Sequence, residues 1–538
     1  MLDTGLRKLR QILANARYCA VWEDFIFRQA LETREKMAHF RSLPMATLAR
    51  GRNALIFTQD ARVAIIPPDT SSSRANAASS DALTAMLDQS ALIARASALI
   101  EAAKRAGADA ADAVAVRSVS QSVEVREGKV EESERSEGDD LGLRVLVGKR
   151  QAVVSTNDVG GVDPNVLAAR AVAMAKLAPE DQFAGLADAE RLAAPEWLGT
   201  TLNDLDLLDP HLPNAADLEQ LAQRAEQTGL GIVGITKSGG ASASAGIGGM
   251  VLVTSTGFCG AYLASRHGVS MTAIAGEGTS MERDYDYSSA LHGADLDPPE
   301  QVGRMAGERA VARLNPRKVE TAKVPVVFAP RVAGSLVSHL ASAVNGAAIA
   351  RKTSFIMDRM GEKLFAPGIR IIDDPLRKRG QRSHPFDGEG VAGAPLVLVD
   401  DGVLQSWLLD SATARELNLT TTGHAARGAS SSPSPSASNL YMEAGKVSPE
   451  DLIADIKSGF YVTDLIGMGA SIITGDYSRG AAGFWIENGK IAYPVSEVTI
   501  AGHMKDMFAH LTPASDLTFR YGVNAPTLRI EGLTIAGR

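Results

Sequence analysis

The chain has 538 residues, 45% of them hydrophobic and 22% charged, a balance that excludes a collagen, a coiled coil and a largely disordered chain. It carries 55 Lys and Arg against 63 Asp and Glu, a net charge of −8. An acidic balance argues against nucleic-acid binding, which needs a basic face to displace counterions. No run of about 18 apolar residues occurs, so no transmembrane helix is expected. Two cysteines, Cys19 and Cys259, can build neither a disulfide framework nor a multi-cysteine zinc site, and a reducing cytoplasm is the simplest address.

Residues 1–80 hold 12 Lys and Arg against 7 Asp and Glu, a net of +5 that leaves −13 for the remainder. With the linker-like run from Pro67 to Ser80, residues 1–85 are expected to be a poorly ordered extension, and Met86 is a candidate start. The patterning sharpens from there. Leu92, Ile93, Ala96, Leu99, Ile100 and Ala103 recur at helical spacing up to Gly107. Strands are expected over Ala113 to Val116, Val123 to Val125, Leu141 to Val147 and Ala152 to Ser155, with turns at Glu127-Gly128 and Gly148-Lys149. Helices follow over Pro164 to Leu177 and after Pro213-Asn214. Strands are expected at Met250 to Ser255 and Gly268 to Ile274, then a helix over Val302 to Leu314.

The second half opens with a buried-strand signal, Val324 to Phe328, and a helix over Val332 to Val344 that Asn345-Gly346 should end. Hairpins are expected at Asp401-Gly402, joining Leu396 to Val399 with Val403 to Leu409, and at Asn488-Gly489. Ser448-Pro449-Glu450-Asp451 opens a helix, and Ala429 to Ser438 has the composition of an exposed mobile loop. The expected fold is α+β in two domains. Residues 86–318 pack helices on a largely antiparallel sheet, and residues 319–538 form a strand-rich, barrel- or sandwich-like domain with a few helices.

Few strings carry chemistry. Gly388-Glu389-Gly390-Val391-Ala392-Gly393 spells a dinucleotide fingerprint, but a strand and hairpin follow it where a helix N-terminus is required. His384, Asp387 and Glu389 lie close together on a Pro- and Gly-bearing turn. His424 stands at another turn, and His503 and His510 suit one helix face. His339 is the informative histidine. A helical zinc peptidase needs two imidazoles for the metal and a carboxylate to take the water's proton. Leu340 stands where that carboxylate would be, and Val344 where the second imidazole would be.

Several longer strings resemble the TldD/PmbA metallopeptidase family, in its PmbA (TldE) branch: Met281-Glu282-Arg283-Asp284-Tyr285, Arg351-Lys352-Thr353-Ser354-Phe355, Pro385 to Gly390, Thr474 to Gly489, Tyr493 to Glu497 and Ile500-Ala501-Gly502. The resemblance covers about residues 90–538. It implies a subunit of a cytoplasmic heterodimeric complex in which a TldD-type chain carries zinc on H-E-x-x-x-H and a downstream cysteine, and unfolded peptides are processed. Carried over by position, His339 matches the first histidine while Leu340 and Val344 depart from the motif, and no cysteine follows Cys259. The resemblance therefore implies no catalytic or metal-binding residue and no cofactor in this chain, with zinc in a TldD-type partner and no nucleic acid or membrane as partner. Asp476, Arg479 and Glu487 are the interface or chamber candidates. Two other readings stand beside this one. The first is a self-sufficient peptidase built on His384, Asp387, Glu389 or His424. The second is a non-enzymatic modulator of DNA gyrase or of toxin–antitoxin proteins, since family members also carry the gyrase label.

Overall fold

The computed structural model describes residues 89–537, so the expected extension over 1–85 lies outside the described residues. The first helix, α1 (Ser90–Ala106), buries Leu92, Ala96, Leu99, Ile100 and Ala103 along one stripe. It ends where Gly107 takes a left-handed φ of +94°. β1 (Ala110–Arg126), β2 (Lys129–Val147) and β3 (Arg150–Thr156) follow. β1 is one strand where the pattern shows two short runs. Its middle, Arg117 to Ser122, has few apolar residues, but β2 and β4 hold it by backbone pairing on both sides.

Next come α2 (Pro164–Leu177), α3 (Pro195–Leu205) and α4 (Ala215–Leu230), the last opened by a capping box at Asn214. β4 (Ile235–Thr254), β5 (Cys259–Ala275), β6 (Glu282–Ala290) and α5 (Pro299–Ala312) complete this half. The sheet runs β3-β2-β1-β4-β5-β6, antiparallel throughout. α1 and α2 cover Ala113, Ala115, Leu143 and Val251, while α4 and α5 cover Val269, Met271 and Ala273. α3, which the patterning did not predict, joins Val114, Leu252, Phe258 and Phe386 on the opposite face.

β7 (Ala322–Phe328) leads into α6 (Pro330–Ala343). β8 (Ser458–Ile466), β9 (Asp476–Glu487), β10 (Lys490–His503) and β11 (Leu528–Ala536) close with β7 into a five-stranded barrel. β7 and β8 are parallel and the other pairs antiparallel, with β11 pairing both β10 and β7. Beside it lies a second sheet of five short strands, among them Ile371–Asp373, Leu396–Asp400 and Leu440–Met442. The observed class is the expected one, helices on an antiparallel sheet and a barrel-bearing, strand-rich second part. Among the described residues no helix is long and apolar enough to cross a membrane.

Three local expectations change. Asn345 does not end a helix alone: its side chain accepts from the Ala347 amide and caps the next helix, Gly346–Ala350. The second arm of the Asp401-Gly402 hairpin is only Val403–Leu404. The segment from Ala429 to Ser438 is not an exposed loop. Ser434–Pro435 pairs with Ala425–Ala426, and buried Ser438 hydrogen-bonds to buried Asp373. Serine-rich composition cannot separate a solvated hydroxyl from one spent on a buried acid.

Candidate functional site

α6 begins with Pro330 at its first turn, where a missing N–H costs nothing, and turns a stripe of Val332, Ala333, Leu336, Val337, Leu340 and Ala343 into the core. His339 lies half-buried beside that stripe, its ring set edge-on to Tyr477 of β9 with centroids 6.0 Å apart. Tyr477 and Arg479 are two residues apart on one strand and so share a face. His339 Nε2 and Arg479 Nε are shielded from solvent without a hydrogen-bond partner, and the equally shielded Tyr477 hydroxyl has only the Arg479 guanidinium beside it. Arg479 Nη2 reaches the Leu465 carbonyl at 3.5 Å. Burial, helped by the Arg479 cation, pushes the His339 imidazole down to about 4. Burial pushes the Tyr477 hydroxyl up to about 12. At neutral pH the cluster is therefore a neutral imidazole, a neutral phenol and one guanidinium.

A catalytic zinc takes three protein ligands and a water. Leu340 and Val344 are apolar and fully buried, and Cys259 is exposed on β5. The donor set beside α6 is one imidazole facing a cation, which does not fit the ion. Among the described residues no group of three or more His, Cys, Asp or Glu is placed to hold a metal.

The other interface candidates do not gather with Arg479. Asp476 is exposed at the start of β9 and accepts from Thr474 Oγ1 at 2.7 Å, whereas exposed Glu487 ends the strand opposite Lys490. At roughly 3.3 Å per residue, that is a separation of about 35 Å. His503 and His510 flank the short helix Met504–Ala509 instead of sharing its face. His503 accepts from the Lys505 amide at one end, and His510 donates to the Asp506 carbonyl at the other. The glycine-rich string opens no helix; Gly390 turns with φ +88° between Asp387 and Val391.

The turn acids Asp387 and Glu389 are buried and committed, and His384 beside them is half-buried. Asp387 accepts from the Glu389, Val391 and Ala425 amides at 2.8, 3.0 and 3.0 Å, and Glu389 from the Ser411 amide at 2.8 Å. Burial raises both carboxyls above their ordinary range, and their mutual repulsion adds to the rise at Glu389. Burial alone would lower the pKa of His424, but the Asp373 carboxylate 3.1 Å from Nε2 outweighs it and the pKa is raised. Its Nδ1 donates to the Thr422 carbonyl at 2.8 Å, so both nitrogens face acceptors, as an imidazolium requires. His384 donates to the Arg382 carbonyl, and burial lowers its pKa.

Sequence reasoning missed the charged group beside these acids. Asp112 of β1 receives Arg144 of β2 at 2.5 Å on one oxygen and Arg427 at 2.5 Å on the other, all three buried. Despite its burial, which raises the pKa, the two guanidiniums hold the Asp112 carboxyl below its ordinary value. The signal was present: an acid within Ala110-Ala111-Asp112-Ala113-Val114 and a base within Leu143-Arg144-Val145 sit in apolar runs, where a charge has to be paired. Asp284, from one of the quoted strings, holds Arg331 at the start of α6 and Arg313 just beyond α5. A cleft of about 570 Å³ is lined by Arg377, Gln381, Asn439, Phe519 and Tyr521.

Comparison with known proteins gives three consecutive matches to one family. They are the PmbA/TldA metallopeptidase domain 1 over residues 111–175, the central domain over 209–314 and the C-terminal domain over 321–537. The chain is 37% identical over 437 residues to the Metalloprotease PmbA of Escherichia coli O157:H7, covering 80% of this chain and 93% of that protein. A crystal structure from Bacteroides thetaiotaomicron, described as a candidate modulator of DNA gyrase, superposes with a TM-score of 0.74 at 27% identity, over 82% of this chain and 98% of that one. TldE from Thermococcus kodakarensis shares the fold, with a TM-score of 0.70 at 20% identity over 82% and 99% of the two chains.

Proposed function

Because the chain belongs to the PmbA/TldD metallopeptidase family, we propose that it is the PmbA/TldE-type subunit of a cytoplasmic assembly that processes unfolded peptides, with the zinc carried by a TldD-type partner. The observation that carries this reading is the make-up of α6 and β9: one imidazole, His339, stands with buried Leu340 and Val344 where a zinc helix needs a carboxylate and a second imidazole, and Arg479 brings a positive charge to the same place. Water activation then belongs to the partner, and this chain contributes walls and binding groups. Against the divergent-site reading, His384, Asp387, Glu389 and His424 each have at least one polar atom tied to a backbone or carboxylate partner.

The test is to purify this chain alone and co-expressed with an H-E-x-x-x-H chain, then measure zinc and cleavage of an unfolded peptide. About one zinc per pair and turnover by the pair alone are expected. Stoichiometric zinc with turnover by this chain alone would overturn the reading. Capture of gyrase by this chain without a TldD-type partner would favour the modulator reading, which the description of the Bacteroides structure supports.

A further inference from the structure

We propose that His339, Tyr477 and Arg479 form a binding site for a single carboxylate group of an extended peptide, at the place where a zinc-bearing relative would hold its metal. The proposal deepens the subunit reading and rests on its premise that this place holds no metal. Three side chains from one helix and one strand end in shielded polar atoms with no acceptor facing them, the Tyr477 hydroxyl having only the Arg479 guanidinium beside it. Tyr477 is 1% exposed, so its hydroxyl is cut off from bulk solvent. Leaving such groups without an acceptor is unfavourable, and a ligand carrying matching acceptors recovers that cost.

The character of the atoms selects that ligand. A phenol hydroxyl and a guanidinium N–H donate, and a neutral imidazole donates from Nε2 when its other nitrogen is bare. Donors without an opposing carboxylate call for an anion. One full positive charge, from Arg479, matches a monoanion better than a phosphate dianion, and a guanidinium fork suits a planar carboxylate. The surroundings point to a peptide as the bearer. β8 and β9 are joined by residues 467–475, where Gly467 and Gly475 take φ of +80° and +88°. This connection runs alongside β9, with Ala470 bridged to Tyr477, and Arg479 donates to the Leu465 carbonyl just before it. Ile466 at the end of β8 and Met468 and Ile473 of the connection are 62%, 72% and 66% exposed, an apolar rim beside a half-buried cation. A peptide with apolar side chains and one carboxylate satisfies both.

The experiment uses the full chain and three probes: N-acetyl-Ala-Leu-Ala-Leu as the free acid, the same peptide as the C-terminal amide, and an amide with its last Leu replaced by Glu. Titration calorimetry should show one or both acids binding at least about tenfold more tightly than the plain amide. The preferred acid identifies the source of the carboxylate as a chain end or a side chain. Arg479→Gln should abolish the preference, and Tyr477→Phe should reduce it about threefold or more while the chain stays folded. Equal binding of acids and amide, no acid binding up to roughly 10 mM, or a full preference in Tyr477→Phe overturns the proposal. Should Arg479→Gln fail to fold, the Tyr477→Phe result decides. A chain that pairs with a TldD-type subunit yet shows no acid preference removes this site and leaves the subunit reading standing. One that prefers acids but carries zinc and cleaves alone does the reverse.

Discussion

Glu389 shares a buried space with Asp387 and Asp410, and its folded-state pKa stands above the ordinary carboxylate range. Burial disfavours its ionised form, so the folded chain holds a proton there that the unfolded chain has released. The cost is absent at acid pH, where both states are protonated, and grows as pH rises above the ordinary carboxylate range towards neutrality. Glu389→Gln keeps an acceptor for the Ser411 amide and removes the charge. It should match the parent at about pH 4 and exceed it by about 1–2 kcal/mol near pH 8, measured by urea unfolding across that range. Tyr477→Phe removes a buried hydroxyl that has no acceptor and only the Arg479 guanidinium beside it. In the absence of ligand it should leave stability unchanged or raise it by up to about 1 kcal/mol, read from the thermal midpoint. A clear loss would mean that the hydroxyl is paired in solution.

At the scale of elements, most helices and turns follow local chemistry: Gly107 at a helix end, Asn214 in a capping box, Asn488-Gly489 between β9 and β10. Lengths and helix pairings do not. α4 and α5 meet at Gly229 and Gly303, where a Cβ on Gly303 would lie 2.0 Å from the Ala225 carbonyl oxygen. Nothing in the periodicity of either helix announces that approach, since glycine in a helix reads only as a weak propensity. Gly303→Ala should therefore cost about 1–3 kcal/mol in chemical denaturation, well beyond the small gain an alanine gives in an open helix. α3 escaped prediction because its eleven residues bury only Leu198, Thr201 and Leu205, a stripe too sparse to register.

Across the whole molecule, residues distant in sequence tie the first sheet to the second half. Phe386 packs edge-on to Phe258 and Tyr262 at 5.3 and 5.4 Å. Arg427 enters the first sheet to reach Asp112, 315 positions away. Gly142 leaves room for this segment, because a Cβ there would strike the Ala429 carbonyl. Arg427→Leu strips Asp112 of one of its two cations inside the protein and should cost about 3 kcal/mol or more. Unfolding followed by fluorescence should show the midpoint falling sharply. An unchanged midpoint would mean that Arg144 alone neutralises the acid.

The sequence by itself determined the α+β class, most helix boundaries, both hairpin turns and, through strings such as Thr474 to Gly489, the family. These are matters of local propensity, period and motif, which neighbouring residues settle among themselves. It also showed that His339 stands without its motif partners, because Leu340 and Val344 are plain to read. Only the tertiary structure decided what surrounds that histidine. Arg479 and Tyr477 come to it from a strand 138 to 140 positions later, while Asp476 and Glu487 of the same strand end far apart. Strand closure into a barrel and charge pairing across the core depend on contacts between distant residues, and no local pattern encodes which partners meet.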